Sequence, residues 1–128
     1  MTVIGVGIDL VDLDRVRALL ASKGERAMNR FFSEKEREYL ASRDDATGHA
    51  AARIAAKEAV YKAMQSLEGA RGVGWREIEV SRDKAGKPAI ELHGLAARLS
   101  EQMGGLRIQV SLTHSGISAG AIAVVEAP

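Results

Sequence analysis

The sequence predicts an α+β fold, a mainly antiparallel sheet packed with a long central helix. Three observations predict it. Val3–Val11 is an apolar, β-branched run punctuated by Gly5 and Gly7, the pattern of a buried strand. His49 to about Leu67 is a continuous alanine-rich stretch, long enough for about five helical turns. Arg107–Thr113 and Ile117–Glu126 are two apolar runs around the short polar turn His114-Ser115-Gly116, which reads as two strands.

The elements between follow from local chemistry. Asp12 or Asp14 can cap a short amphipathic helix carrying Val16, Leu19 and Leu20. Ser33-Glu34-Lys35-Glu36 is a capping box, with hydroxyl and carboxylate each accepting from an orphan backbone N–H, and opens a second helix through about Ser42. Arg43–Gly48 is a polar loop before the long helix. Glu68–Gly74 is glycine-rich but lacks the Gly-Lys-Ser/Thr ending of a phosphate-binding P-loop. Trp75–Ser81 alternates apolar and polar residues, as a half-buried strand does. Asp83–Lys87 is a turn, Pro88–His93 pairs back as a hairpin, and Leu95–Met103 is a short helix. The order β-α-α-α-β-β-α-β-β contains hairpins rather than βαβ crossovers, so the sheet is not doubly wound.

A chain of 128 residues is expected to be one domain, 1–128, with enough core to fold without a disulfide or structural metal. It has no cysteine, which excludes thiolate metal sites and a cysteine nucleophile. The apolar start lacks a basic flank and is too short for a signal peptide or membrane span, so a cytoplasmic protein is expected. The net charge of +1 selects no partner. Five cations (Arg15, Arg17, Lys23, Arg26, Arg30) nevertheless lie within one segment against Glu25 alone, which suits an acidic protein partner. Nucleic acid is not expected: five aromatics are spread over the whole chain and no reader motif occurs.

The chemistry concentrates in Arg53-Ile-Ala-Ala-Lys57-Glu58-Ala-Val-Tyr-Lys62. Residues three and four apart share a helix face, so Glu58–Lys62 reads as a favourable pair. Arg53–Lys57 places like charges together, at a cost of ~0.2–0.5 kcal/mol unless an anion sits between them. Asp9 lies in an apolar strand, where an unpaired carboxylate is costly, so it calls for a cation, a metal or hydrogen-bond donors. Two carboxylates, Asp9 and Glu58, with waters and phosphate oxygens would complete an octahedral Mg²⁺ site, which Mn²⁺ could also fill. Arg53, Lys57 and Lys62 would then neutralise phosphates, and His114 in its polar turn suits a phosphate contact. His49 and His93 read as ordinary surface or helix-start residues, and the histidines lack carboxylates at zinc-ligand spacing. No Gly-x-Ser-x-Gly elbow occurs and Ser115 has no triad, so nucleophilic hydrolysis is not indicated.

Taken in order, Gly-Ile-Asp9-Leu-Val-(x)₃-Arg15, Ala-Ala-Arg53-(x)₃-Lys57-Glu58-Ala-(x)₂-Lys62-Ala, Gly86-Lys87-Pro88 and Val110-Ser-Leu-Thr113-His114-Ser resemble the holo-[acyl-carrier-protein] synthase family, the short bacterial type of 4′-phosphopantetheinyl transferase. The resemblance runs from Val3 to Glu126. It implies the fold of that family, and transfer of the phosphopantetheine arm of coenzyme A to a serine of apo acyl carrier protein in fatty acid biosynthesis. It also implies Asp9 and Glu58 as Mg²⁺ ligands and Lys62 beside the pyrophosphate. Arg53, Thr113 and His114 would surround the coenzyme A 3′-phosphate, Gly86-Lys87-Pro88 would lie next to the adenine, and Arg15 would dock the acidic carrier. Glu58 is the implied proton acceptor, with Glu36 a more distant one. The family's site lies between subunits of a homotrimer, so the His114 strand would serve a neighbouring chain. Two departures stand out: Ala63-Met-Gln-Ser-Leu-Glu-Gly69 replaces a bulky residue followed by Gly-x-Gly, and Ser115-Gly116 replaces a charged residue after His114. Two alternatives keep parts of this reading: the same chemistry on a megasynthase carrier domain, and a non-catalytic coenzyme A or nucleotide-binding module.

Overall fold

The computed structural model describes residues 1–128. Strand β1 (Thr2–Asp12) leads into helices α1 (Leu13–Lys23), α2 (Glu25–Phe31), α3 (Glu34–Ala41) and α4 (Thr47–Ala63). Two single 3₁₀ turns, Ala70–Gly72 and Trp75–Glu77, precede the hairpin β2 (Ile78–Arg82) and β3 (Pro88–Leu92). Helix α5 (Gly94–Gln102), β4 (Arg107–His114) and β5 (Ser118–Ala127) complete the chain. The α+β class and the antiparallel pairing are as the sequence predicts: one sheet has the order β1-β5-β4, and β2-β3 forms a second. No helix is long and apolar enough to cross a membrane.

Alanine makes the architecture possible. Ala55, Ala56, Ala59 and Ala63 of α4 and Ala121 and Ala123 of β5 are all buried in the main core. Small side chains let α4 lie almost on the sheet, and β1 supplies glycine where the approach is tightest. A Cβ on Gly5 would sit 1.7 Å from the Ala63 carbonyl oxygen, and one on Gly7 would sit 1.8 Å from that of Ala59. Strand alternation then fixes what faces the helix: Gly5, Gly7, Asp9 and Val11 point inward, and Val6, Ile8 and Leu10 point outward. The outer face stays apolar and open, with Val6 59%, Ile8 69% and Leu10 72% exposed beside Ile122.

The helical boundaries differ from the expected ones for identifiable reasons. Gly24, at φ 47°, breaks α1 and starts a further helix, α2, which the pattern of Val16, Leu19 and Leu20 does not announce. Helix α4 ends at Ala63 rather than near Leu67, where the Ser66 hydroxyl donates to the Ile4 carbonyl at 2.8 Å. Trp75–Glu77 is a turn rather than the start of a strand, because the Glu77 carboxylate accepts from the backbone N–H groups of Gly74 and Leu95. The capping box is present as read: Ser33 N–H donates to Glu36 Oε1 at 2.9 Å, and Glu36 N–H to the Ser33 hydroxyl at 3.3 Å.

Candidate active site

The close approach of β1 to α4 brings Asp9 and Lys62 together across the chain. Lys62 Nζ donates to Asp9 Oδ1 at 3.2 Å and to the Ile8 carbonyl at 3.0 Å. The expected Glu58–Lys62 ion pair is therefore not the one that forms: Lys62 reaches forward to the strand, where a carboxylate and a carbonyl both accept. Glu58 lies one turn before Lys62 and carries no protein hydrogen bond. Burial first, and the neighbouring Asp9 charge second, hold its carboxyl above the usual glutamate range, against the opposing pull of Lys62.

Asp9, Glu58 and Arg15 open onto a cleft of about 640 Å³ whose walls include Val16, Leu19, Phe31, Ile54 and Trp75. A smaller cavity of about 180 Å³ lies on the other side of Glu58, against Tyr61, Val73 and Trp75. Trp75 borders both, held edge-on by Phe31 with ring centroids 4.9 Å apart. These aromatic walls are the part of the site that sequence reasoning misses. Trp75 carries no local motif, and only the fold brings Phe31 to it.

Lys57 departs from expectation. It is 1% exposed, and its three ammonium N–H groups donate to Glu36 Oε1 (2.6 Å), the Trp75 carbonyl (3.0 Å) and the Ile78 carbonyl (2.5 Å). It has no donor left for a phosphate. An anion does relieve the Arg53–Lys57 repulsion, but it is the chain's own Glu36, whose other oxygen accepts from Val80 N–H at 3.0 Å. Glu36 is equally buried and so does not serve as a proton acceptor for substrate. The pair joins α3, α4 and the segment that carries Trp75. Replacing Lys57 with Met leaves a buried, unpaired carboxylate and two carbonyls without donors, so urea unfolding should report a loss of about 3–5 kcal/mol. A loss under about 1 kcal/mol would contradict the burial of this pair.

Arg53 is buried against the Tyr39 ring, its guanidinium carbon 4.1 Å from the centroid, and its Nε has no partner. It borders a cavity with Lys35, Tyr39, Glu79, Ser81 and Arg82, whose wall includes neither Thr113 nor His114. Those two residues end the edge strand β4 and are exposed, Thr113 opposite Gly120 and His114 opposite Ala119. The cavity beside Arg53 in one chain therefore does not include the Thr113–His114 pair. Gly86-Lys87-Pro88 closes the β2–β3 hairpin, with Gly86 at φ 83° and Asp83 Oδ1 accepting from Lys87 N–H at 2.9 Å. The turn faces solvent at Gly86 and Lys87.

Chemically, two carboxylates face an open, aromatic-walled cleft, and one ammonium is bonded to the first of them. An Asp/Glu pair without a nitrogen or sulfur donor is the set that hard divalent cations take. The mutual repulsion of Asp9 and Glu58 is what such a cation would relieve.

Comparisons with known proteins place the chain among related sequences and structures. A family profile described as the 4′-phosphopantetheinyl transferase superfamily matches residues 5–116. A holo-[acyl-carrier-protein] synthase of Geobacter sulfurreducens is 40% identical over 126 residues, 98% of this chain and 99% of the relative. One of Treponema denticola is 39% identical over 125 residues, 97% of this chain and 98% of the relative. Among solved structures, an ACPS–CoA complex of Chronobacterium ammoniagenes superposes with a TM-score of 0.81 at 34% identity, covering 97% of each chain.

Proposed function

The chain belongs to the 4′-phosphopantetheinyl transferase superfamily, and from that premise we propose that it is a holo-[acyl-carrier-protein] synthase, one transferase domain spanning residues 1–128. The serine hydroxyl of an apo acyl carrier protein attacks the pantetheine-side phosphorus of coenzyme A. The bond from that phosphorus to the bridging oxygen breaks, and adenosine 3′,5′-bisphosphate leaves. The observation that carries the reading is Asp9 and Glu58, from two elements distant in sequence, lining one cleft while Lys62 bonds to Asp9.

Asp9 and Glu58 would hold Mg²⁺, with Mn²⁺ acceptable to the same oxygens. When bound, the ion supplies charge neutralisation at the pyrophosphate. Lys62 holds a fixed ammonium beside the two carboxylates, where a departing phosphate develops charge. Glu58, its carboxyl raised by burial, is suited to accept the serine proton directly or through water. Phe31, Ile54 and Trp75 give the cleft an apolar wall for the substrate's uncharged parts. Chromatography of the nucleotide product tests the reading. Adenosine 3′,5′-bisphosphate should appear only with an apo carrier present, whereas coenzyme A binding without product would favour the binding module.

Arg15 lines the same cleft, which supports a docking role for the basic helical segment toward the acidic carrier. Arg15→Glu should raise KM for the carrier severalfold and leave coenzyme A affinity unchanged. Raising salt should slow association, because exposed charges are screened within ~8–10 Å. A change in coenzyme A affinity instead would move Arg15 into the nucleotide site.

The bare outer face of the sheet supports assembly, since Val6, Ile8, Leu10 and Ile122 form a contiguous exposed apolar patch on paired strands. Three copies covering it would also let Thr113 and His114 of one chain complete the coenzyme A site of the next, which a single chain leaves divided. Sedimentation should give the mass of a trimer, and a monomer would remove this route to a complete site. The reaction belongs in the cytoplasm, where coenzyme A and carrier meet.

A further inference from the structure

The β2–β3 hairpin carries a group of side chains that the transfer chemistry leaves unused. Glu79 and Glu91 are directly opposite each other on the antiparallel strands. His93 follows β3 at the start of α5, and its Nε2 lies 3.3 Å from Glu79 Oε1. One ligand atom from each of Glu79, Glu91 and His93 lies within 4.8 Å of the other two. Glu79 is 4% exposed, and its second oxygen accepts from the Ser33 hydroxyl.

Electrostatically, the group is incomplete. Carboxylates directly opposite on paired strands repel, and a buried carboxylate requires a positive partner. No lysine or arginine forms an ion pair with Glu79 or Glu91. Lys57, whose field reaches Glu79, has all three donors engaged elsewhere. Lys35, Arg53 and Arg82 border a cavity with Glu79 but make no ion pair with it, and the group that does pair with it is His93, charged only when protonated.

From this geometry we infer that Glu79, Glu91 and His93 form a second metal site, for a borderline divalent cation of the Zn²⁺ type, with water completing a tetrahedral set. An imidazole with two carboxylates is a Zn²⁺ donor set, whereas the all-oxygen pair Asp9–Glu58 suits Mg²⁺. The inference is independent of the transferase reading. Sequence spacing hides the site, because Glu79 and His93 meet only through the hairpin register. The site also touches the cap of α3: Ser33 links Glu79 to the helix whose Glu36 holds Lys57. Metal on the hairpin would therefore brace the wall that carries Trp75.

The test is titration of the full-length protein with Zn²⁺ in excess Mg²⁺, which occupies the oxygen-only pair. Co²⁺ absorption provides a second readout. One metal per chain, a raised thermal midpoint and tetrahedral Co²⁺ bands are expected. His93→Ala and Glu91→Gln, both at surface positions, should each weaken binding about tenfold or more. Asp9→Asn should leave it unchanged. No saturable binding, or binding lost in Asp9→Asn but kept in His93→Ala, would overturn the inference.

Discussion

Asp9→Asn and Glu58→Gln should each lower kcat/KM by about 10²–10³-fold, the loss typical of removing one preorganised electrostatic contact at a reacting centre. Neither should unfold the protein. The Asp9–Lys62 pair is half open to water on its lysine side, where such pairs contribute about 0–1 kcal/mol, and Asn keeps an oxygen for Lys62. Glu58 has no hydrogen-bond partner to lose. The Asp9 variant also carries a signature in pH. The Asp9 charge is the second cause, after burial, that raises the Glu58 carboxyl. Removing it should lower the Glu58 pKa toward the usual glutamate range, which NMR titration of the metal-free protein can follow. An unchanged Glu58 titration would mean that the two carboxylates do not share a site, and a collapsed fold would mean that Asp9 is structural.

Gly7→Ala, like Gly5→Ala, should be among the most damaging single methyl additions in the chain. The new Cβ would meet Ala59 O at 1.8 Å, Ala59 C at 2.8 Å and Ala63 N at 3.0 Å. All three are backbone atoms of α4, so no side-chain rotation relieves the clash and the helix must move away from the sheet. Overpacking ordinarily costs about 1–3 kcal/mol, and a backbone obstacle places this case at or above the top of that range. Activity should fall further than stability alone explains, because α4 carries Glu58 and Lys62 away from Asp9. Gly48→Ala is the matched control, since nothing lies within 4 Å of its Cβ position and it sits in the same helix. It should leave stability unchanged or raise it by about 0.5–1 kcal/mol. Equal behaviour of the two variants would contradict the close helix–sheet packing.

Much of this was readable in the residues, and the parts that were not share a cause. The strands, the capping box at Ser33 and the long alanine helix follow from local periodicity and capping, which sequence displays directly. Asp9 and Glu58 stand out in the sequence because a charge in an apolar strand and a charged alanine helix both conflict with their surroundings. Which partner each charge takes was not readable. Lys62 chooses Asp9 over Glu58, and Lys57 chooses Glu36, through contacts between residues distant in sequence. Like-charge crowding at Arg53 and Lys57 correctly called for an anion, but local spacing cannot distinguish an internal carboxylate from a bound phosphate. Trp75 and the Glu79–Glu91–His93 group share that limit: each exists only once strands and turns are paired.

The central claim is tested most directly by the intact mass of an apo acyl carrier protein after incubation with this protein, coenzyme A and Mg²⁺. The account predicts a carrier heavier by one phosphopantetheine, with the gain abolished by EDTA and by Glu58→Gln. A carrier that stays at its apo mass while the protein still binds coenzyme A would contradict it.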